Sequence, residues 1–124
     1  MGIDIYAKWK TQREDEEVEQ MKVWLTATAG RTGYLREAYH GEPYATQFLC
    51  AESFEGSGQA TIPAAVLRER LPHALELVEE REHTLYKSSP KTIEDVKQSF
   101  RDFVALCEEK EEEQGDAVLI VASY

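Results

Sequence analysis

Between Thr92 and Glu113 the apolar residues Ile93, Val96, Phe100, Phe103, Val104 and Cys107 recur every three or four positions, while Lys97, Arg101, Asp102 and Glu108 fall on the opposite side. That period predicts an amphipathic helix that has to lay its stripe on a second layer. Each large side chain on the stripe contributes roughly 1.5–3 kcal/mol when buried, before the entropy of ordering it is counted. Residues 108–114 read as a solvated helix end, with Gly115 as its cap. The segment Ala117–Ala122, Ala-Val-Leu-Ile-Val-Ala, is apolar throughout and too short for a globular helix. It predicts a buried strand, central in its sheet.

The other end of the chain supplies a partner for that strand. Ile3, Ile5, Ala7 and Trp9 alternate with Asp4, Tyr6, Lys8 and Lys10, the period of a strand with one buried face. A second amphipathic helix is predicted to begin at Ile62-Pro63, with Thr61 or Ile62 near its cap. Leu67, Leu71, Ala74, Leu75, Val78 and Leu85 share its stripe. Pro72 lies inside that pattern, so it either kinks one long helix or separates a short helix from a longer one. Tyr86–Pro90 closes the unit. Together these segments predict an α+β fold: a small sheet containing the N- and C-terminal strands, covered on one face by two long amphipathic helices. At 124 residues, with no repeat and no linker, the chain reads as a single domain over 1–124.

The remaining segments are less regular. Thr11 and Glu14 have the spacing of a capping box, opening a short and largely exposed helix through the acidic run, with Val18 and Met21 as a thin apolar edge. Val23–Thr28 reads as a second strand because Thr26 and Thr28 favour strands, with a continued helix through Val18, Met21 and Leu25 as its rival. Gly30 and Gly33 mark a turn. One or two helical turns are predicted from Tyr34 to Tyr39, stopped at Gly41, with Pro43 forcing an extended exit. Gln47–Ala51 reads as a third strand, and Glu55–Gly58 as a loop.

Charge narrows the partners. Fourteen Lys and Arg stand against 24 Asp and Glu, a net charge of −10. A field of that sign repels phosphate backbones and anionic membrane surfaces, so neither nucleic acid nor a membrane is an expected partner. An acidic imitation of DNA would need carboxylates spread over one face, and here they cluster at helix ends. The N-terminal residues alternate instead of forming a basic and then apolar leader, and no apolar run approaches about twenty residues. A cytoplasmic location with Cys50 and Cys107 as reduced thiols is the resulting expectation.

Functional side chains concentrate in one place. Residues 34–44 hold Tyr34, Arg36, Glu37, Tyr39, His40 and Tyr44, framed by Gly33, Gly41 and Pro43. They offer donors, acceptors and an imidazole that titrates near neutrality. On a helical turn Arg36 and His40 would share a face, and a small pocket for an anionic or planar ligand would be within reach. The structural alternative is that the aromatics pack the loop while Arg36 pairs with a nearby carboxylate. Elsewhere the signals for chemistry are absent. His73 and His83 would stand about 15 Å apart on a straight helix, and there is no HxxxH or CxxC spacing for zinc. The acidic runs lack the ligand alternation of a calcium loop. Ser57 lies between two glycines without the strand–turn–helix context of a nucleophile elbow. Cys50, within an apolar run, makes a poor thiolate partner for His40. Neither phosphate-binding glycine motif occurs, so no cofactor and no metal are expected.

The opening GIDIYAKWK, the segment GYLREAYHGEPYAT, the later IPAAVLRERLP and the closing VKQSFRDFVALCEEKEEEQG with its final ASY together resemble a small family of uncharacterised bacterial proteins of unknown function. The resemblance covers nearly the whole chain and implies a compact domain; it assigns no residue a role. Two functional readings follow from the residues. The first is a small acidic binding or interaction protein without catalysis, its contact patch the aromatics of the Tyr34–Tyr44 segment and its partner a protein. The alternative is a small enzyme or ligand-binding domain with His40 as acid/base, Arg36 as anion clamp and Tyr39 or Tyr44 as orienting donors.

Overall fold

The computed structural model describes residues 2–22, 29–39 and 41–124. Among these residues four strands form one antiparallel sheet: β1 (Gly2–Lys8), β2 (Tyr34–Ala38), β3 (Gln59–Ile62) and β4 (Val118–Ser123), in the order β2-β1-β4-β3. The N- and C-terminal strands are thus its central pair, with Ile5 opposite Ala122 and Ala7 opposite Ile120. Every second residue of β1 is buried, Ile3, Ile5 and Ala7, as the alternation predicts.

Helices α3 (Ala64–Thr84) and α4 (Pro90–Gln114) cover the face onto which those residues point. Leu67, Leu71, Ala74 and Val78 of α3 meet Phe100, Phe103, Val104 and Cys107 of α4 in one cluster with Ile3, Ile5, Leu35, Ile62, Val118 and Ile120. The chain is therefore α+β in the arrangement predicted. Pro72 divides nothing: α3 runs unbroken through it. The proline is exposed, so the carbonyl it leaves unpaired can be hydrated while Leu71 and Ala74 on either side stay buried. α4 starts two residues before Thr92. Pro90 occupies its first turn, and the Ser89 hydroxyl accepts from the Thr92 N–H at 3.2 Å. Gly115, at φ 76°, ends it.

Four local readings need correction. Residues 34–38 form β2, not helical turns. In a strand Leu35 and Glu37 reach the interior while Tyr34 and Arg36 meet Tyr6 and Asp4 across the ladder, and pairing with β1 satisfies backbone groups that two isolated turns would leave to water. Residues 45–49 form a short helix, α2 (Ala45–Leu49), not a third strand. The Glu37 carboxylate accepts the Ala45 and Thr46 N–H groups that open it. The third strand instead takes Thr61 and Ile62, expected near a helix cap, so α3 begins after Pro63. The Thr11–Glu14 capping box does not form: α1 (Glu14–Lys22) begins only at Glu14, and it is Glu16 Oε1 that accepts from the Arg13 N–H, at 2.9 Å. Val18 and Met21 point outward at 44% and 58% exposure. α1 is held instead by Gln20, fully buried, whose amide donates to the carbonyls of Ala7, Thr32 and Gly33 and accepts from Lys8 Nζ. The strand expected at 23–28 lies outside the described residues.

A 3₁₀ turn, Ala29–Thr32, ties the start of β2 to α4. Gly30 donates its N–H to Ser99 Oγ at 3.1 Å, and a Cβ added at Gly30 would stand 2.0 Å from the Ser99 carbonyl oxygen. Only glycine permits that approach. No helix among the described residues is long and apolar enough to cross a membrane.

Candidate functional site

β2 divides the residues of the 34–44 segment between two faces of the sheet. Tyr34 and Arg36 stand on the outer face. Tyr34 stacks on Tyr6 at 5.1 Å between ring centroids, and its hydroxyl donates to Asp4 Oδ1. Arg36 Nη1 donates to the same oxygen at 2.7 Å. Burial and the Asp4 carboxylate together push the Tyr34 phenol well above its ordinary range. The outcome is a cross-strand knot on Asp4.

Glu37 points the other way, onto the interior. Its oxygens accept from Ala45 N at 3.0 Å, Thr46 N at 2.9 Å and Thr46 Oγ1 at 2.6 Å. Oε2 lies 3.7 Å from Nε of Arg81, and both side chains are 8% exposed. Arg81 comes from the last turn of α3 and reaches under the loop that follows β2. It donates to the carbonyl oxygens of Ala38 at 2.9 Å, Gly41, and Pro43 at 3.2 Å. Its guanidinium also stands 4.7 Å from the centre of the Tyr44 ring. Tyr44 in turn accepts the Gly41 N–H on its hydroxyl and packs edge-on to Tyr39 at 5.9 Å. A buried ion pair is stable only when further hydrogen bonds satisfy both partners, and here they do. Glu37 and Arg81 therefore tie down Ala38 and residues 41–46, where the peptide bond between Glu42 and Pro43 is cis.

That fixed loop forms one side of a furrow. One part is a cleft of about 350 Å³ with Val78, Val96 and Phe100 as floor and Arg36, Arg81, Glu82 and Tyr86 among its walls. Beyond Arg81 a second depression of about 220 Å³ lies between Pro43 and Leu77. Across Glu42 and Pro43 a third, shallower one extends to Phe48 and Arg70. Neighbouring depressions share walls, so the furrow is continuous around the C-terminal end of α3. Tyr39, Phe48, Leu85 and Tyr86 are exposed along this side of the molecule, Leu85 by 52%.

The predicted site residues are thus only partly brought together. Glu37, Tyr39 and Tyr44 belong to the loop and its supports, Tyr34 belongs to the opposite face, Arg36 pairs with Asp4 there while also lining the edge of the first cleft, and His40 lies outside the described residues. The helical face on which Arg36 was to join His40 does not exist, because β2 is a strand. The residue that sequence reasoning missed is Arg81. Its signal was present: Ala74, Val78 and Arg81 continue one stripe at spacings of four and three, and a cation on a buried stripe requires a buried partner. Ser88 was missed too; its hydroxyl donates to Glu82 Oε2 at 2.9 Å and lines the first cleft.

The two thiols sit deep in the core. Burial pushes Cys107 up to about 12 and Cys50 well above its ordinary value, so neither forms a thiolate at neutral pH. Among the described residues, His, Cys, Asp and Glu make no group of three or more that could hold a metal ion. No protein-family model, curated protein or solved structure matches the chain.

Proposed function

We propose that the protein is a non-catalytic binding domain of the bacterial cytoplasm and that the furrow around the C-terminal end of α3 is its recognition surface. The observation that carries this reading is the Glu37–Arg81 pair. Two buried charges and six hydrogen bonds hold the loop that walls an apolar-floored cleft, which gives a preformed surface at little ordering cost on binding. Around the cleft Glu37 is engaged with Arg81 and Ser88 with Glu82, an arrangement suited to rigidity more than to proton transfer. The net charge of −10 disfavours nucleic acid and favours a basic protein partner. A small ligand in the first cleft is the second reading, favoured by a volume at the lower end of the range for ligand sites, about 300–1,000 Å³.

Capture from native lysate tests the proposal. Val96→Trp fills the cleft floor, and Val18→Glu alters exposed surface on α1. A partner retained by the wild type and by V18E but lost from V96W is the expected result. Equal capture by all three proteins would place recognition elsewhere.

A further inference from the structure

We infer that the furrow takes a short segment of a partner protein bearing one large apolar side chain flanked by lysine or arginine. The inference rests on the binding reading above and adds the chemistry of the partner. Three observations carry it. The three depressions follow one another with shared walls at Arg81 and at Glu42 and Pro43, which suits a chain laid along them, with Val78, Val96 and Phe100 receiving one side chain.

The second observation is charge. Glu82 lines the first cleft, Glu80 the second, and Glu42 the second and third. None of the three has an ion-pair partner among the described residues. The cations that line the three depressions are already engaged: Arg81 with Glu37 and three carbonyls, Arg70 with Glu52 at 2.6 Å, and Arg36 with Asp4. The third is the C-terminal end of α3, which ends at Thr84 beside the first two depressions and adds the negative pole of its dipole. An anionic or purely apolar segment would leave the three carboxylates facing like charge or dry surface. A basic one neutralises them.

The test uses the full chain and dye-labelled peptides in fluorescence anisotropy. The probe is Gly-Lys-Lys-Phe-Lys-Lys-Gly; one control replaces each Lys by Glu, and another replaces Phe by Ala. The probe is expected to bind at least about tenfold more tightly than either control and to weaken as salt is raised. The triple variant Glu42→Gln, Glu80→Gln, Glu82→Gln is expected to lose about tenfold in affinity. Glu42 and Glu80 are exposed and Glu82 half-buried, and glutamine keeps an acceptor for the Ser88 hydroxyl, so the variant is expected to fold, with circular dichroism as the check. V96W is expected to reduce the probe to the level of the alanine control. Equal binding of the Lys and Glu peptides overturns the partner class and leaves the binding reading standing. So does absence of any peptide binding while lysate capture still depends on Val96. Loss of both overturns both. A small molecule carried through native mass spectrometry by the wild type and not by V96W, with no peptide binding, assigns the cleft to small ligands and overturns the inference.

Discussion

Arg36 and Glu37 are neighbours on one strand, and each engages an oppositely charged group, yet the two pairs do different work. Arg36 turns outward to Asp4 with 36% of its side chain exposed, and Tyr34 adds its hydroxyl to the same oxygen. Glu37 turns inward to Arg81, where both side chains are 8% exposed and no buried side-chain nitrogen or oxygen among the described residues is left without a hydrogen-bond partner. The outer pair sits in high dielectric and is worth little; the inner pair is costly to assemble and more costly to break. The pleat of β2 decides which charge has which fate. One consequence is that the interior pair, not the aromatic side chains that draw attention in the sequence, determines the shape of the candidate surface.

The comparison can be broken most sharply at Glu37. Glu37→Ala leaves a buried guanidinium without its carboxylate and removes the acceptor at the start of α2, so a loss of about 3–5 kcal/mol is expected in denaturant unfolding. Glu37→Gln keeps part of the hydrogen bonding and should cost less. If E37A costs under about 1 kcal/mol, the inner pair is no different from the outer one. A double-mutant cycle on Glu37 and Arg81 should give a larger coupling than the same cycle on Asp4 and Arg36, for which about 0.2–1 kcal/mol is expected.

Tyr34 gives a pH test of the outer face. Its phenol is raised in the folded state, first by burial and then by Asp4, so the folded protein holds a proton that the unfolded chain releases above about pH 10. The contribution is complete below that pH and is lost as pH climbs through the folded value. Stability of the wild type should therefore fall in alkali, and Tyr34→Phe should flatten the fall. The smallest effect is expected in acid. Arg70 lowers Glu52 and Arg68 lowers Glu108, in each case through a side-chain hydrogen bond. The stability these pairs add is present above the unfolded carboxylate value, about 4.3, and fades as pH falls through the lower folded values. Both carboxylates are over a third exposed, so the change should amount to a few tenths of a kcal/mol, measured as the difference between wild type and Arg68→Met on acid titration.

The layers of the fold were legible because their signals are periodic. Ile3, Ile5 and Ala7 for a strand, and Ile93 to Cys107 for a helix, name their inward faces without reference to anything distant in the chain. The terminal run at 117–122 was legible for the same reason. Where tertiary contacts override local preference, reading failed. Tyr34–Ala38 has helical composition and becomes a strand because β1 offers a ladder with matched partners on both faces. Ala45–Leu49 becomes a helix because a carboxylate eight positions earlier caps it. α1 docks through Gln20, which apolar patterning cannot select. Within the candidate site, the enrichment of aromatic and charged side chains at 34–44 pointed to the right loop, and Glu37, Tyr39 and Tyr44 do shape it. The loop's partner, Arg81, comes from a helix over forty positions away, and only its place on an apolar stripe betrayed it.

Recognition along the furrow can be followed residue by residue, through the backbone amide shifts of isotope-labelled protein during titration with the lysine–phenylalanine probe. Perturbations grouped at Ala38, Val78, Arg81, Glu82, Val96 and Phe100 are the predicted result. Shifts confined to the outer sheet face, at Tyr6, Lys8, Leu119 and Val121, would contradict it.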